Sequence, residues 1–250
     1  MNHTLRALLF DLFGTVVFFA PQVPTVEVAG TRWRSTMSWL RDAAARELPD
    51  VSFDDLLAAL MQVTEEIVRQ RPPEYREVPS RERFRRALAR LDVDAARAAS
   101  AAERLSLAHM AHLASLTVLP SGHGTLLEEL ATRYRLALVS NFDHAPTARR
   151  ILTDHGIASC FATIVISDEL GRRKPHAAIF EAALQRLGVR ADEALFIGDS
   201  VGDDIVGAHN VGLPVVWFNV KGEPLPAGIA PPEHVIAQLN ALPALLEQRS

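Results

Sequence analysis

The chain has 250 residues, 48% of them hydrophobic and 22% charged, which is globular usage and excludes a wholly disordered or fibrous chain. With 26 Lys and Arg against 30 Asp and Glu the formal net charge is -4, so no basic face arises by default, and nucleic acid is not expected as the main ligand. Cys160 is the only cysteine, which rules out an intrachain disulfide, and the apolar start at 8–10 is broken by Asp11; a cytoplasmic chain with no membrane partner is expected.

In chain order, Ala7-Leu-Leu-Phe reads as a short buried strand running into Asp11. From about residue 16 the texture changes to Ala, Arg and Glu, and the spacing predicts helices over 38–48, 52–70, 80–91 and 94–116. Ser52 and Asp55 form a capping box ahead of Leu56, Leu57 and Leu60, and Pro72, Pro73 and Pro79 punctuate the connection between two of the helices. From about 117 strands and helices alternate: strand 136–139, helix 147–154, strand 163–166, helix 177–187, strand 194–197, strand 215–218 and a closing helix 236–246. Such alternation predicts an α/β fold, a doubly wound parallel sheet made by residues 1–15 and 117–250, with an α-helical domain inserted at 16–116.

Three apolar runs end in a polar residue followed by turn chemistry: into Asp11, into Ser140-Asn141, and into Asp199. Ligands of open parallel sheets bind beyond the carboxyl ends of the strands, where strand order reverses, so these tips are candidates to converge. Gly14 permits a tight turn after Asp11, and Thr15 offers a hydroxyl beside it. In Gly198-Asp-Ser-Val-Gly-Asp-Asp204 the carboxylates of Asp199 and Asp204 flank a strand-to-helix turn, oxygen ligands that suit magnesium. Clustered with Asp11 they would repel one another, and a metal relieves that conflict. The plainer account of Asp199 and Asp204 is an N-cap and a solvated first-turn acid.

The ordered set Asp11-Leu-Phe-Gly-Thr15, Ser140-Asn141, Lys174-Pro175 and Gly198-Asp199 to Asp204 resembles the haloacid dehalogenase superfamily, in its phosphatase-like branch with a helical cap after the first motif. The resemblance covers the sheet domain; the helical insert matches only in type and position. It implies a Rossmann-like core and a hydrolase in which Asp11 attacks phosphorus to form an aspartyl-phosphate. Mg2+ would be held by Asp11, the backbone carbonyl of Phe13 and Asp199, with Asp204 orienting its waters. Ser140 and the adjacent backbone N–H would bind a phosphoryl oxygen, with Thr15 and Asn141 beside it, and Lys174 would neutralise developing charge. The substrate would be a small, anionic, phosphorylated metabolite.

One position departs from that resemblance. Two residues after the nucleophile the family's phosphatases usually carry a second Asp as general acid and base, and here stands Phe13. Without that donor the leaving group needs little protonation, turnover is slow, or another group such as His144 donates. Phe13 also fits a 2-haloacid dehalogenase, whose halide leaves unprotonated, or a catalytically weak binding protein; but the dehalogenases generally work without metal and lack an acid where Asp199 stands. Elsewhere, His109 and His112 stand three apart on a helix and read as ordinary helix residues rather than a metal pair. Gly122-His-Gly-Thr-Leu-Leu superficially resembles a nucleotide loop but lacks its third glycine. Arg32, Trp33, Arg34 and Trp39 lie where the insert begins and could meet the substrate's far end.

Overall fold

A computed structural model describes residues 4–20, 25–28, 31–34 and 36–247, with the side chains of 25–28 and 31–34 left aside. β1 (Ala7–Phe10) and β2 (Phe18–Phe19) are followed by an antiparallel hairpin of β3 (Thr25–Val28) and β4 (Thr31–Arg34). Next come α1 (Arg41–Glu47), α2 (Phe53–Arg69), α3 (Ser80–Arg90) and α4 (Ala95–Ser115). β5 (Thr117–Val118), α5 (His123–Ala131), β6 (Arg135–Ser140), α6 (Ala145–Asp154), β7 (Thr163–Ile166), α7 (Ser167–Leu170) and α8 (Ala177–Leu187) lead to β8 (Ala194–Gly198). α9 (Val206–Asn210), β9 (Val215–Phe218), β10 (His234–Ile236) and α10 (Leu242–Glu247) complete the chain. None of the described helices is long and apolar enough to cross a membrane.

Six strands form one sheet in the order β10-β9-β8-β1-β6-β7, every ladder parallel. All four residues of β1 are buried, because a parallel sheet covered on both faces has no solvent side to alternate towards. On one face Leu9, Val139, Val165 and Phe196 meet Ile179, Phe180 and Ala183 of α8. Burying a side chain such as Phe180 contributes roughly 2 kcal/mol. The chain leaves β1 for β6 and β7 on one side and then crosses to β8 on the other. That reversal opens a crevice beyond the carboxyl ends of β8, β1 and β6. The α/β parallel sheet is the one that the alternation of the sequence predicts.

The described residues form two compact units, one within 1–19 and 118–250 and one within 20–117. The second has its own apolar core, in which Leu56, Leu60 and Val63 of α2, Phe84 and Leu88 of α3 and Ala101 and Leu105 of α4 are buried together. Ser52 caps α2, its hydroxyl accepting from Asp55 N at 3.5 Å, and Asp94 caps α4, its Oδ1 accepting from Ala96 N and Arg97 N at 3.0 and 3.1 Å.

The structure differs from the sequence reading at two places, the closing helix and the hairpin of β3 and β4. The closing helix expected over 236–246 is replaced by β10, which pairs with β9 through Ile236↔Phe218, and by α10, which starts only at Leu242. Pro243 explains the late start: inside a helix begun at 236 it would remove a hydrogen bond, whereas in the first turn its missing N–H costs nothing. The segment after Gly122, set aside above as a nucleotide loop, forms the first turn of α5, with Gly122 itself left-handed at φ 85°. The hairpin of β3 and β4 lies where only helical texture is expected.

Candidate active site

Asp11 is the first residue beyond β1, and its N–H donates to Ile197 O at 2.9 Å, which ties it to β8. The chain then folds back on itself, with Val16 N and Val17 N both reaching Leu12 O at 2.9 Å and Gly14 N reaching Val17 O at 2.8 Å. Gly14 has φ +94°, and a Cβ there would stand 2.5 Å from Asp199 Oδ2. Only glycine lets this turn approach the second carboxylate. Thr15, fully buried, points its hydroxyl at Asp199 Oδ1 at 3.5 Å. After β8, Gly198 leaves room for Asp204, whose Oδ2 accepts from Ser200 N at 2.9 Å. A single π-helical turn, Val201–Ile205, carries Asp203 and Asp204.

Asp11, Asp199 and Asp204 each offer a carboxylate oxygen, and the three oxygens lie within 4.8 Å of one another. Lys174 enters the same cluster although it is only 2% exposed. Its Nζ donates to Asp11 Oδ1 at 2.5 Å and to Val139 O at 3.0 Å, and lies 2.7 Å from Asp204 Oδ1. Burial, reinforced by Asp204 and Asp199, pushes the Asp11 carboxyl up to about 7 against the pull of Lys174. Burial and Asp204 likewise push Asp199 up to about 6. Burial alone would depress the Lys174 ammonium, but Asp11 and Asp204 beside it hold it above its usual range. Three carboxylates against one ammonium leave the cluster two charges short of neutrality, which adds to burial in raising Asp11 and Asp199.

Ser140, at the end of β6, is fully buried, and its hydroxyl has no hydrogen-bond partner among the described residues. A buried, unpaired hydroxyl is costly unless something outside the chain uses it. Asn141 is engaged differently: its Oδ1 accepts from Lys174 N at 2.7 Å, and its Nδ2 donates to Lys174 O at 3.0 Å and Asp203 Oδ2 at 3.1 Å. Both ends of this amide fix the loop that carries Lys174, so the side chain serves as a clasp. The Phe13 ring stacks on Phe19 at 5.0 Å and meets Phe142 at 4.8 Å, which makes an aromatic wall where a proton donor was sought. His144 spends Nδ1 on Thr147 Oγ1 at 2.9 Å.

Three supporting residues escape the sequence reading. Ser167 accepts from Phe142 N at 2.9 Å and donates to Phe142 O at 3.2 Å, bracing the turn after Ser140. It follows β7 as Ser140 closes β6, so the same signal, an apolar run ending in a polar residue, marks it. Asp203, beside Asp204, holds Asn141. Trp217 donates from Nε1 to Asp199 O at 3.0 Å, and nothing in its strand marks it out. In the helical unit His109 pairs with Thr36 Oγ1 at 2.7 Å and meets Phe84 edge-on, while His112 packs on Trp39 at 5.5 Å. The two do not share a ligand. The side chains of Arg32, Trp33 and Arg34 lie outside the described residues. His123, in the glycine-flanked segment, spends Nδ1 on Val16 O at 2.9 Å.

The chain matches the haloacid dehalogenase-like hydrolase family over residues 5–212. It belongs to that family. Among characterised relatives, this hydrolase is 36% identical over 110 residues to a glyceraldehyde 3-phosphate phosphatase of Pyrococcus abyssi, covering 44% of this chain and 46% of that protein. It is 35% identical over 124 residues to the N-acylneuraminate-9-phosphatase of Mus musculus, covering 49% of each. The matches thus span about half the length of these relatives. Among solved structures, a 2-haloacid dehalogenase from Pseudomonas syringae pv. Tomato DC3000 superposes with TM-score 0.77 at 25% identity, over 99% of this chain and 100% of that one. A HAD phosphatase from Thermococcus onnurineus does so with TM-score 0.61 at 25% identity, over 97% and 98%.

The donor set of this hydrolase fits a hard divalent cation. It is all oxygen, it carries excess negative charge, and burial together with the neighbouring carboxylates holds Asp11 and Asp199 above their ordinary range.

Proposed function

We propose that this hydrolase is a magnesium-dependent phosphatase of a small phosphorylated metabolite, working through an aspartyl-phosphate on Asp11. The observation that carries the reading is Asp199 set against Asp11 and Asp204 in one cluster. A divalent cation gives a reason to set this half-buried carboxylate beside two buried ones. Magnesium, held by Asp11, Asp199 and the Phe13 carbonyl with Asp204 behind, would neutralise the incoming phosphoryl group and the attacking carboxylate together.

The geometry above supports each remaining role. Asp11 supplies the nucleophilic oxygen. Lys174 fixes that carboxylate and meets the phosphoryl charge as a point cation. The Ser140 hydroxyl finds in a phosphoryl oxygen the partner it lacks. Thr15 steadies Asp199, and Asn141 keeps Lys174 in register. The helical unit within 20–117 we assign as a cap that keeps bulk water from the intermediate until hydrolysis. The named phosphatases among the relatives support this substrate class.

The wall of Phe13, Phe19 and Phe142 has no proton to give, so substrates whose leaving group departs as an anion are favoured. The same wall is what favours a second reading, 2-haloacid dehalogenase chemistry, in which Asp11 attacks carbon; the likeness to a dehalogenase structure supports it. Assay of a phosphate-ester panel and of 2-haloacids, each with magnesium and with EDTA, separates the two. Phosphate release that requires magnesium is expected, and halide release that persists in EDTA reverses the order.

A further inference from the structure

Beside the carboxylate cluster lies a cavity of about 290 Å³, bounded at one end by Gly14 and Asp199 and along its sides by Phe18, Trp217, Phe218 and Val220. We propose that this cavity receives the organic part of the substrate and selects an uncharged, apolar group the size of one substituted ring. The inference deepens the phosphatase reading and rests on it.

The cavity begins where the chemistry ends. Gly14 is the residue whose bare backbone approaches Asp199, and Asp199 is the member of the carboxylate cluster that lines this opening. The walls are aromatic and fixed. Trp217 is held by its hydrogen bond to Asp199 O, and Phe18 meets Phe218 edge-on at 6.2 Å with the rings 72° apart. Fixed aromatic faces offer contact area at little entropic cost.

The rim is also built. Asn219 donates to Glu223 O at 2.8 Å and accepts from Glu223 N at 3.0 Å, which closes 219–223 into a tight loop. That loop holds Val220 at the mouth with 54% of its surface in water, where a group entering the cavity meets it. Lys221 and Glu223, 3.7 Å apart, leave the rim without net charge, so nothing there rewards a second anion on the substrate. A volume of about 290 Å³ stands at the lower end of small-molecule sites, which argues for one ring rather than two.

The test compares 4-methylphenyl phosphate, which carries one substituted ring, with acetyl phosphate on wild-type protein, Val220→Trp and Phe18→Ala. Taking the ratio of kcat/KM for the two esters across variants cancels their intrinsic reactivity. Val220→Trp, at an exposed position, fills the mouth and is expected to lower the methylphenyl-to-acetyl ratio by about tenfold or more, mainly through KM, and Phe18→Ala lowers it in the same direction. Release from both esters with a ratio that moves less than about twofold in folded Val220→Trp overturns the cavity assignment alone. Release from neither ester by the wild type, with magnesium present, overturns the phosphatase reading and the assignment with it.

Discussion

In the helical unit the ion pairs stand in water: Arg97 joins Asp50, Arg104 joins Glu47, and Glu82 accepts from Arg85 and Arg86 at 2.6 and 2.8 Å, with these side chains 23–62% exposed. At the end of the sheet, Lys174 is 2% exposed and is met by Asp11 and Asp204 at 2.5 and 2.7 Å, with Asp199 crowding the same space. The exposed pairs neutralise one another and adjust stability slightly. The buried cluster is left over-charged at a cost to the fold, which is how a site is arranged when its last ligand comes from outside.

The largest expected contrast is Asp11→Asn against any change in the helical ion pairs. That single substitution should abolish phosphate release by about 10,000-fold or more while the protein stays folded by circular dichroism. Retention of a tenth of wild-type rate would remove Asp11 from the chemistry.

Next comes Lys174→Met, which leaves buried carboxylates without their ammonium. It should cost roughly 3–5 kcal/mol in urea unfolding without metal. A variant as stable as wild type would mean that Asp11 and Asp204 are not ionised together.

The two regions should also respond to pH with opposite sign. The unfolded chain releases the Asp11 and Asp199 protons near pH 3.8, while the folded metal-free protein holds them to about 7 and about 6. Their contribution to stability is therefore full below about pH 4 and is lost as pH rises through 6 and 7. His109 runs the other way. Burial first, then Arg83 and His112, depress its imidazole from 6.5 to about 3, so the unfolded chain takes up the proton first. Stability tied to His109 is present above pH 6.5 and falls as pH drops towards 3, by up to about 1.4 kcal/mol per pH unit. Urea unfolding of His109→Gln at pH 4 and 7 checks this: the acid-side loss should shrink, and an unchanged loss would assign it elsewhere.

Smallest of all is Arg97→Ala. Removing a pair in water should move Tm by no more than about 2 °C, as read by differential scanning calorimetry. A larger shift would mean that the exposed pairs of the helical unit carry stability after all.

The same contrast explains what the sequence disclosed. Asp11, Ser140 and Asp199 are legible because each closes an apolar run, and β8, β1 and β6, being neighbours in the sheet, carry their tips to one place. The clasp of Asn141 is not legible, since its partners Lys174 and Asp203 are 33 and 62 residues away, a separation that leaves no local pattern. Ile236 with Leu239, Leu242 and Leu246 mimics helical spacing, yet Ile236 belongs to an edge strand, where pairing with β9 outweighs local periodicity. Thr25–Val28 and Thr31–Arg34 do carry strand alternation, but the Ala- and Arg-rich stretch that follows masks it.

Catalysis as proposed turns on a phosphoryl group resting covalently on Asp11 with help from a divalent ion. Acid-quenching the protein after mixing with acetyl phosphate and magnesium, then mapping peptides by mass spectrometry, tests that directly. The expected result is one phosphoryl adduct on the peptide holding Asp11, absent in EDTA and absent in Asp11→Asn. Turnover of acetyl phosphate with no adduct on that peptide at any quench time, or an adduct that forms equally well in EDTA, would contradict it.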